Sequence, residues 1–243
     1  MKPLLRWVAL VLLAFVALQL FFVGRVAALA VVDPESTSFQ RSEAWRLAQE
    51  RGPLRWRQQW VPYARISDHL KRAVIASEDD GFVNHEGVDW DAVEKAWERN
   101  EKAQERAAKR ALLAPARARP PKIVGGSTIT QQLAKNLLLS GERSLLRKGQ
   151  EFVLALALEK FLSKQRILEI YLNSVEWGAG VFGAEAAAQH YFRKPASKLS
   201  AWEAARLAVM LPQPKRFEKS PGSRYLAGRT ATIAARMRYA ELP

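Results

Sequence analysis

Cysteine is absent from this 243-residue chain, which removes disulfides and thiolate metal sites and leaves the redox compartment open. Histidine is nearly as scarce, with only His69, His85 and His190, so the chain is short of the ligands that a transition-metal site needs. Acidic side chains are in deficit, 24 Asp+Glu against 38 Lys+Arg, and the resulting formal charge of +14 must meet anionic lipid, pyrophosphate or nucleic acid, or stay solvated. No zinc finger and no stacking-aromatic RNA motif is present, which argues against nucleic acid. Alternating strand patterns and internal repeats are missing too, and the remaining periodicity predicts one mainly α domain.

What is present begins with a long apolar run. Residues 7–23 are apolar except for Gln19, enough at helical rise to cross most of a hydrocarbon core. Lys2 and Arg6 precede the run and Asp33 and Glu35 follow it, which favours a cytoplasmic amino end and an exported body. A cleaved signal peptide is the other reading, because Ala28-Leu29-Ala30 resembles a small-residue cleavage site. The chain divides on this basis into residues 1–32 (stub and anchor), 33–66 (a polar connector with Trp45, Trp56 and Trp60) and 67–243 (the globular domain). The connector tryptophans either meet the membrane surface or pack on the body.

Within the body, Ser67 caps a helical pattern carrying Leu70 and Val74 toward Glu78. Residues 98–121 are rich in Ala, Arg, Lys and Glu and have no wide apolar face, so they read as a solvated helix or loop. Ser127 or Thr128 caps a helix striped by Ile129, Leu133, Leu137 and Leu138. Further helices are expected over 145–162, 164–172, 184–191 and 200–210, the last stopped by Pro212 and Pro214.

Three clusters carry chemistry. Glu78-Asp79-Asp80 sets carboxylates side by side, where mutual repulsion can raise a proton affinity for acid–base work; a plain helix end is the alternative. The segment 125–136 joins Gly125-Gly126 to a capped helix start, whose free N–H groups favour phosphate; no Gly-Lys-Ser/Thr follows, so it is not a nucleotide P-loop. Downstream, Lys135, Arg143, Arg147 and Lys148 surround one carboxylate, Glu151, at helical spacing from Arg147 and Lys148. Such cations can grip a diphosphate, or form an ordinary surface ion-pair array.

Taken in order, Glu78-Asp79-Asp80-Gly81-Phe82-Val83-Asn84-His85-Glu86-Gly87, the 125–136 segment and Arg147-Lys148-Gly149-Gln150-Glu151 resemble the motifs of peptidoglycan glycosyltransferases. Ile167-Leu168-Glu169-Ile170-Tyr171-Leu172-Asn173 and Glu203-Ala204-Ala205 with Leu211-Pro212-Gln213-Pro214 extend the resemblance over residues 67–237. It looks like the monofunctional form, since no Ser-x-x-Lys or Lys-Thr-Gly of a transpeptidase occurs. The resemblance implies a lysozyme-like, mainly α domain with a smaller membrane-facing lobe within residues 92–122. It also implies polymerisation of lipid II onto a growing glycan chain by inverting β-1,4 transfer at a bacterial inner membrane. By motif position Glu78 would be the general base, with Asp79, Phe82 and His85 shaping the site. Ser127, Thr128 and Gln132 would serve the substrate. Lys135, Arg143, Arg147 and Lys148 would hold the diphosphate, with Glu151 a second catalytic carboxylate or, preferably, their organiser. The resemblance commits to no cofactor and leaves open a divalent cation assisting the diphosphate; the implied partners are lipid II with the growing glycan chain, membrane lipids and a cell-wall synthesis complex. A glycan-cleaving hydrolase and an inactive anchored scaffold are the competing readings.

Overall fold

The computed structural model describes residues 2–50, 55–113, 120–121, 125–139, 141 and 144–243. Helix α1 (Lys2–Ala28) is the long apolar run; only Val26 of it is fully buried, and it is the one described helix long and apolar enough to cross a membrane. Helix α2 (Ser38–Gln49) follows, started by a capping box between Thr37 and Gln40. It belongs to the body: the Gln40 amide donates to the Ser174 carbonyl at 3.3 Å and Ser38 Oγ to the Leu137 carbonyl at 3.1 Å.

The domain centre is helical, as the periodicity predicts. Helix α3 (Asp68–Glu78) starts at Ser67, whose hydroxyl accepts from the His69 N–H, and buries Leu70, Val74 and Ile75. Helix α4 (Trp90–Leu113) runs unbroken through residues 98–113 of the Ala/Arg-rich stretch and leaves Trp90 and Trp97 largely exposed. Of the two candidate caps for α5 (Ile129–Leu138) it is Thr128 that serves, in a capping box with Gln131. Helices α6 (Leu145–Phe161) and α7 (Lys164–Ser174) follow, capped by Ser144 and Ser163. Helix α8 (Ala184–Phe192) leads to α9 (Ala201–Met210), α10 (Pro214–Lys219) and α11 (Arg224–Arg236). α3 packs against α9 and α11, and α5 against α6 and α7.

One feature had no signal in the sequence. A three-stranded sheet, ordered β1-β3-β2, joins β1 (Arg57–Gln58), β2 (Glu176–Gly178) and β3 (Val181–Phe182), with β1 parallel and β2 antiparallel to β3. Strands of two or three residues are too short to show alternation. The sheet fastens residues 55–58 to the body. Gly180, at φ 73°, lies so close to the Arg55 carbonyl that a Cβ would sit 1.9 Å from its oxygen, and its own carbonyl accepts from Arg57. Trp56 stacks on Phe182 at 4.5 Å, and Trp60 packs on the core under the Arg166 guanidinium, whereas Trp45 is exposed. Buried Asn173 completes the attachment, accepting from the Val61 N–H at 3.0 Å and donating to the Val61 carbonyl at 2.9 Å.

Candidate active site

Glu78 ends α3 and opens into a cleft of about 230 Å³ whose other walls are α4 and the 125–128 loop. The residue is half-buried; loss of water around its carboxyl raises its pKa, and the Asp79 charge adds to that, while Gln132, Ser77 and Arg229 pull the other way. Gln132 Nε2 donates to Glu78 Oε2 at 3.1 Å, and the Tyr171 hydroxyl donates to Gln132 Oε1 at 2.9 Å. Tyr171 is fully buried, so it fixes which end of the Gln132 amide faces the carboxylate. This tyrosine was missed by sequence reasoning; it lies inside a recognised motif, but its side-chain partner is 39 residues away.

Asp79 faces the other way. Its carboxylate receives His85 Nε2 at 3.0 and 3.1 Å and the Ile129 N–H at 2.9 Å. His85 Nδ1 accepts from the Gly87 N–H at 3.1 Å, so the tautomer carrying its proton on Nε2 satisfies both contacts. Lys164 secures the same loop, donating to the His85 carbonyl and to Glu159 at 2.8 Å while standing 4.6 Å over the buried Phe82 ring. Thr128, also buried, donates to the Gly87 carbonyl at 2.7 Å and caps α5. Asp79 and Thr128 thus stand in the cleft wall with their polar atoms engaged within the domain, and Phe82 and His85 brace that wall from behind. The expectation of a free helix start for phosphate is corrected: Asp79 occupies the Ile129 N–H and Thr128 Oγ1 that of Gln131.

Cations gather on the next turns of α5 and α6. Lys135 shares the α5 face with Gln132 by helical spacing. Partial desolvation is the largest influence on it and lowers its pKa; Glu151 opposes that, Arg147 and Lys148 reinforce it, and Glu78 opposes it. The Lys135 side chain is exposed on that face. Glu151 is buried and is bound by Arg147 at 2.9 Å and by Lys148, whose ammonium also donates to Ser127 Oγ at 3.2 Å. Arg147 Nε is buried with no acceptor among the described residues. Arg143 lies outside the described residues.

Two more cations line the Glu78 cleft from α4, Lys95 and Arg99, neither with an ion partner among the described residues. The sequence places them four apart on one helix face, a signal that reads equally as a solvated surface. Across the rim Asp80 pairs with Arg236 at 2.9 Å. Among the described residues no group of three or more His, Asp or Glu is close enough to hold a metal ion.

A carboxylate of raised proton affinity beside a bank of cations suits transfer of a group away from an anionic leaving group. Comparison with known proteins agrees. The family described as Transglycosylase matches residues 46–238. The chain belongs to the transglycosylase family. Its relatives include a biosynthetic peptidoglycan transglycosylase of Burkholderia thailandensis, 55% identical over 230 residues, covering 95% of this chain and 84% of the relative. Another of that name, from Paraburkholderia xenovorans, is 52% identical over 242 residues, covering 98% and 94%. Every described residue of the transglycosylase cleft falls within the matched span, which also takes in the end of α2 and all three strands.

Proposed function

We propose that the chain is a peptidoglycan polymerase that extends a glycan chain from lipid II by inverting β-1,4 transfer, releasing lipid diphosphate. The observation that carries this reading is that Gln132 of α5 holds Glu78 at 3.1 Å while Lys148, from the cation cluster around Glu151, reaches Ser127 in the wall of the same cleft. The acceptor sugar's 4-hydroxyl attacks the donor's anomeric carbon, and Glu78 takes the hydroxyl proton. The bond to the diphosphate breaks on the opposite face, and its electron pair leaves with the diphosphate oxygen. Lys135, Arg147 and Lys148, with Arg143, neutralise that oxygen's charge, so no protonating acid is needed where a glycosidase has one. Glu151 fits the organiser role: flanked by a guanidinium and an ammonium, it is biased toward ionisation and is a poor proton donor.

The same cations weigh against the hydrolase reading, because a neutral glycan offers them no anion. Helix α1 supports a single-pass anchor in a bacterial inner membrane, amino end cytoplasmic and domain outside. Trp90, Trp97 and Leu112 on α4, with Leu145 and Leu146 on α6, offer exposed apolar side chains to the same bilayer. The deciding experiment incubates the purified protein with labelled lipid II. Polymer that lysozyme digests is expected; no polymer, together with lysis of cell-wall sacculi, would transfer the assignment to a hydrolase.

Lys95 and Arg99 fit an anionic group of the acceptor, since they face Glu78 across the cleft. Lys95→Ala and Arg99→Ala should each cost about 5- to 10-fold in polymerisation, in keeping with one partly exposed charge-assisted contact. The loss should appear mainly in apparent KM; an effect confined to kcat would mean that neither residue binds the acceptor.

A further inference from the structure

Between residues 7 and 23 the apolar run of α1 has one polar side chain, and that side chain is partnered by the globular domain. Gln150 Nε2 donates to Gln19 Oε1 at 3.0 Å, and Gln19 Nε2 donates back to Gln150 Oε1 at 3.4 Å. The bonds are reciprocal, so each amide offers the other both a donor and an acceptor. In hydrocarbon neither amide could exchange its partner for water, and any slip of α1 along α6 would strand both.

A second hold fixes the outer end of the anchor. Arg166 donates to the Leu29 carbonyl at 2.9 Å and the Val32 carbonyl at 3.0 Å and pairs with Asp33 at 2.7 Å, while Val26 is buried in the domain core. With both ends of this contact fixed, α1 is mounted on the domain instead of tethering it.

Gln19 precedes Arg25, the first charge after the apolar run, by six residues, so it lies about 9 Å deeper along the helix axis. Gln150 stands beside it on α6. Glu151, the organiser of the cations, is its neighbour in sequence, and one turn toward the start of α6 Leu145 and Leu146 are 91% and 88% exposed, as suits side chains immersed in lipid.

We infer that the Gln19–Gln150 pair is a positioning device that fixes the depth and rotation of α6 against the anchor, and with them the placement of the cation pocket around Glu151 relative to the bilayer. The inference rests on the proposed function for the identity of the ligand. The docking itself does not depend on catalysis.

The cysteine-free chain makes the geometry directly testable in vesicles of anionic and zwitterionic lipid. Gln19→Cys with Gln150→Cys should be joined by a short bis-maleimide, which adds one thiol across each of its C=C bonds, and Leu12→Cys with Gln150→Cys, about 10 Å further along α1, should not. A fluorescent label on Leu146→Cys should be quenched by brominated acyl chains, and adding Gln150→Leu should reduce that quenching by about half. Gln19→Leu, Gln150→Leu and the double variant should each polymerise vesicle-embedded lipid II about tenfold more slowly, the double no worse than the singles. In detergent micelles, which impose no fixed plane, all three should stay within about twofold of the parent, as expected for a lost depth constraint. Absence of the crosslink, unchanged quenching, additive losses or equal losses in micelles would each overturn the inference. A parent chain inactive in both media would instead refute the proposed function, while crosslink and quenching still decide the docking.

Discussion

Replacing Glu78 with glutamine should reduce polymerisation by about 10²-fold or more while making the protein more stable at neutral pH. The amide keeps the shape and can still accept from Gln132 Nε2, so the cleft is preserved; what disappears is the ability to take a proton. The stability change follows from linkage. Burial raises the pKa of Glu78 in the folded state, so the favourable protonated form is fully present below the unfolded-state pKa, and its benefit is lost as pH rises through the folded-state value. At neutral pH the folded protein carries a poorly solvated charge that glutamine removes. Thermal unfolding of the two proteins should therefore differ in favour of the variant at pH 7 and converge toward acid. The acid limb of the parent's rate profile should lie above the ordinary carboxylate range. A variant that polymerises at near-parent rate would remove Glu78 from the base role.

Lys135→Ala should lose about 10²- to 10³-fold, the scale of removing one preorganised group from a developing oxyanion. Exposed Lys219, on α10, provides the control, and Lys219→Ala should stay within about twofold, as surface changes remote from a site do. Because partial desolvation lowers the Lys135 pKa, with Arg147 and Lys148 adding to the effect, the alkaline limb of the rate profile should begin below the usual lysine range. Lys135→Arg keeps its charge throughout and should abolish that limb, even if its fork fits the leaving group less well. Equal activity of the alanine variant and its control in a lipid II assay would refute diphosphate binding by Lys135.

Local chemistry made much of this legible in the sequence. Ser67, Thr128 and Ser200 announce helix starts because a side-chain oxygen there satisfies an orphan N–H of the following turn, and each helix begins where its cap directs. The grouping of Arg147, Lys148 and Glu151 needed only helical spacing. What escaped depends on partners far apart in the chain. The bond from Thr128 to the Gly87 carbonyl joins residues 41 apart, and the α5 N-terminus looks vacant until Asp79 arrives. Lys95 and Arg99 resemble any solvated helix face until that face turns to Glu78. The connector's attachment stayed hidden because β1 is two residues long and its partner strand lies more than a hundred residues away.

The occupied start of α5 bears on turnover. A ring of rigid peptide N–H groups would hold pyrophosphate in one fixed cradle, and every cycle would have to empty it. Here the protein's own carboxylate already fills the Ile129 position, which on the proposed function leaves the departing anion to side chains such as Lys135, Arg147 and Lys148. Side chains of that kind would follow a leaving group outward and let go one at a time, so that a spent carrier lipid, if that is the product, would slide away along the membrane without the helix itself having to move.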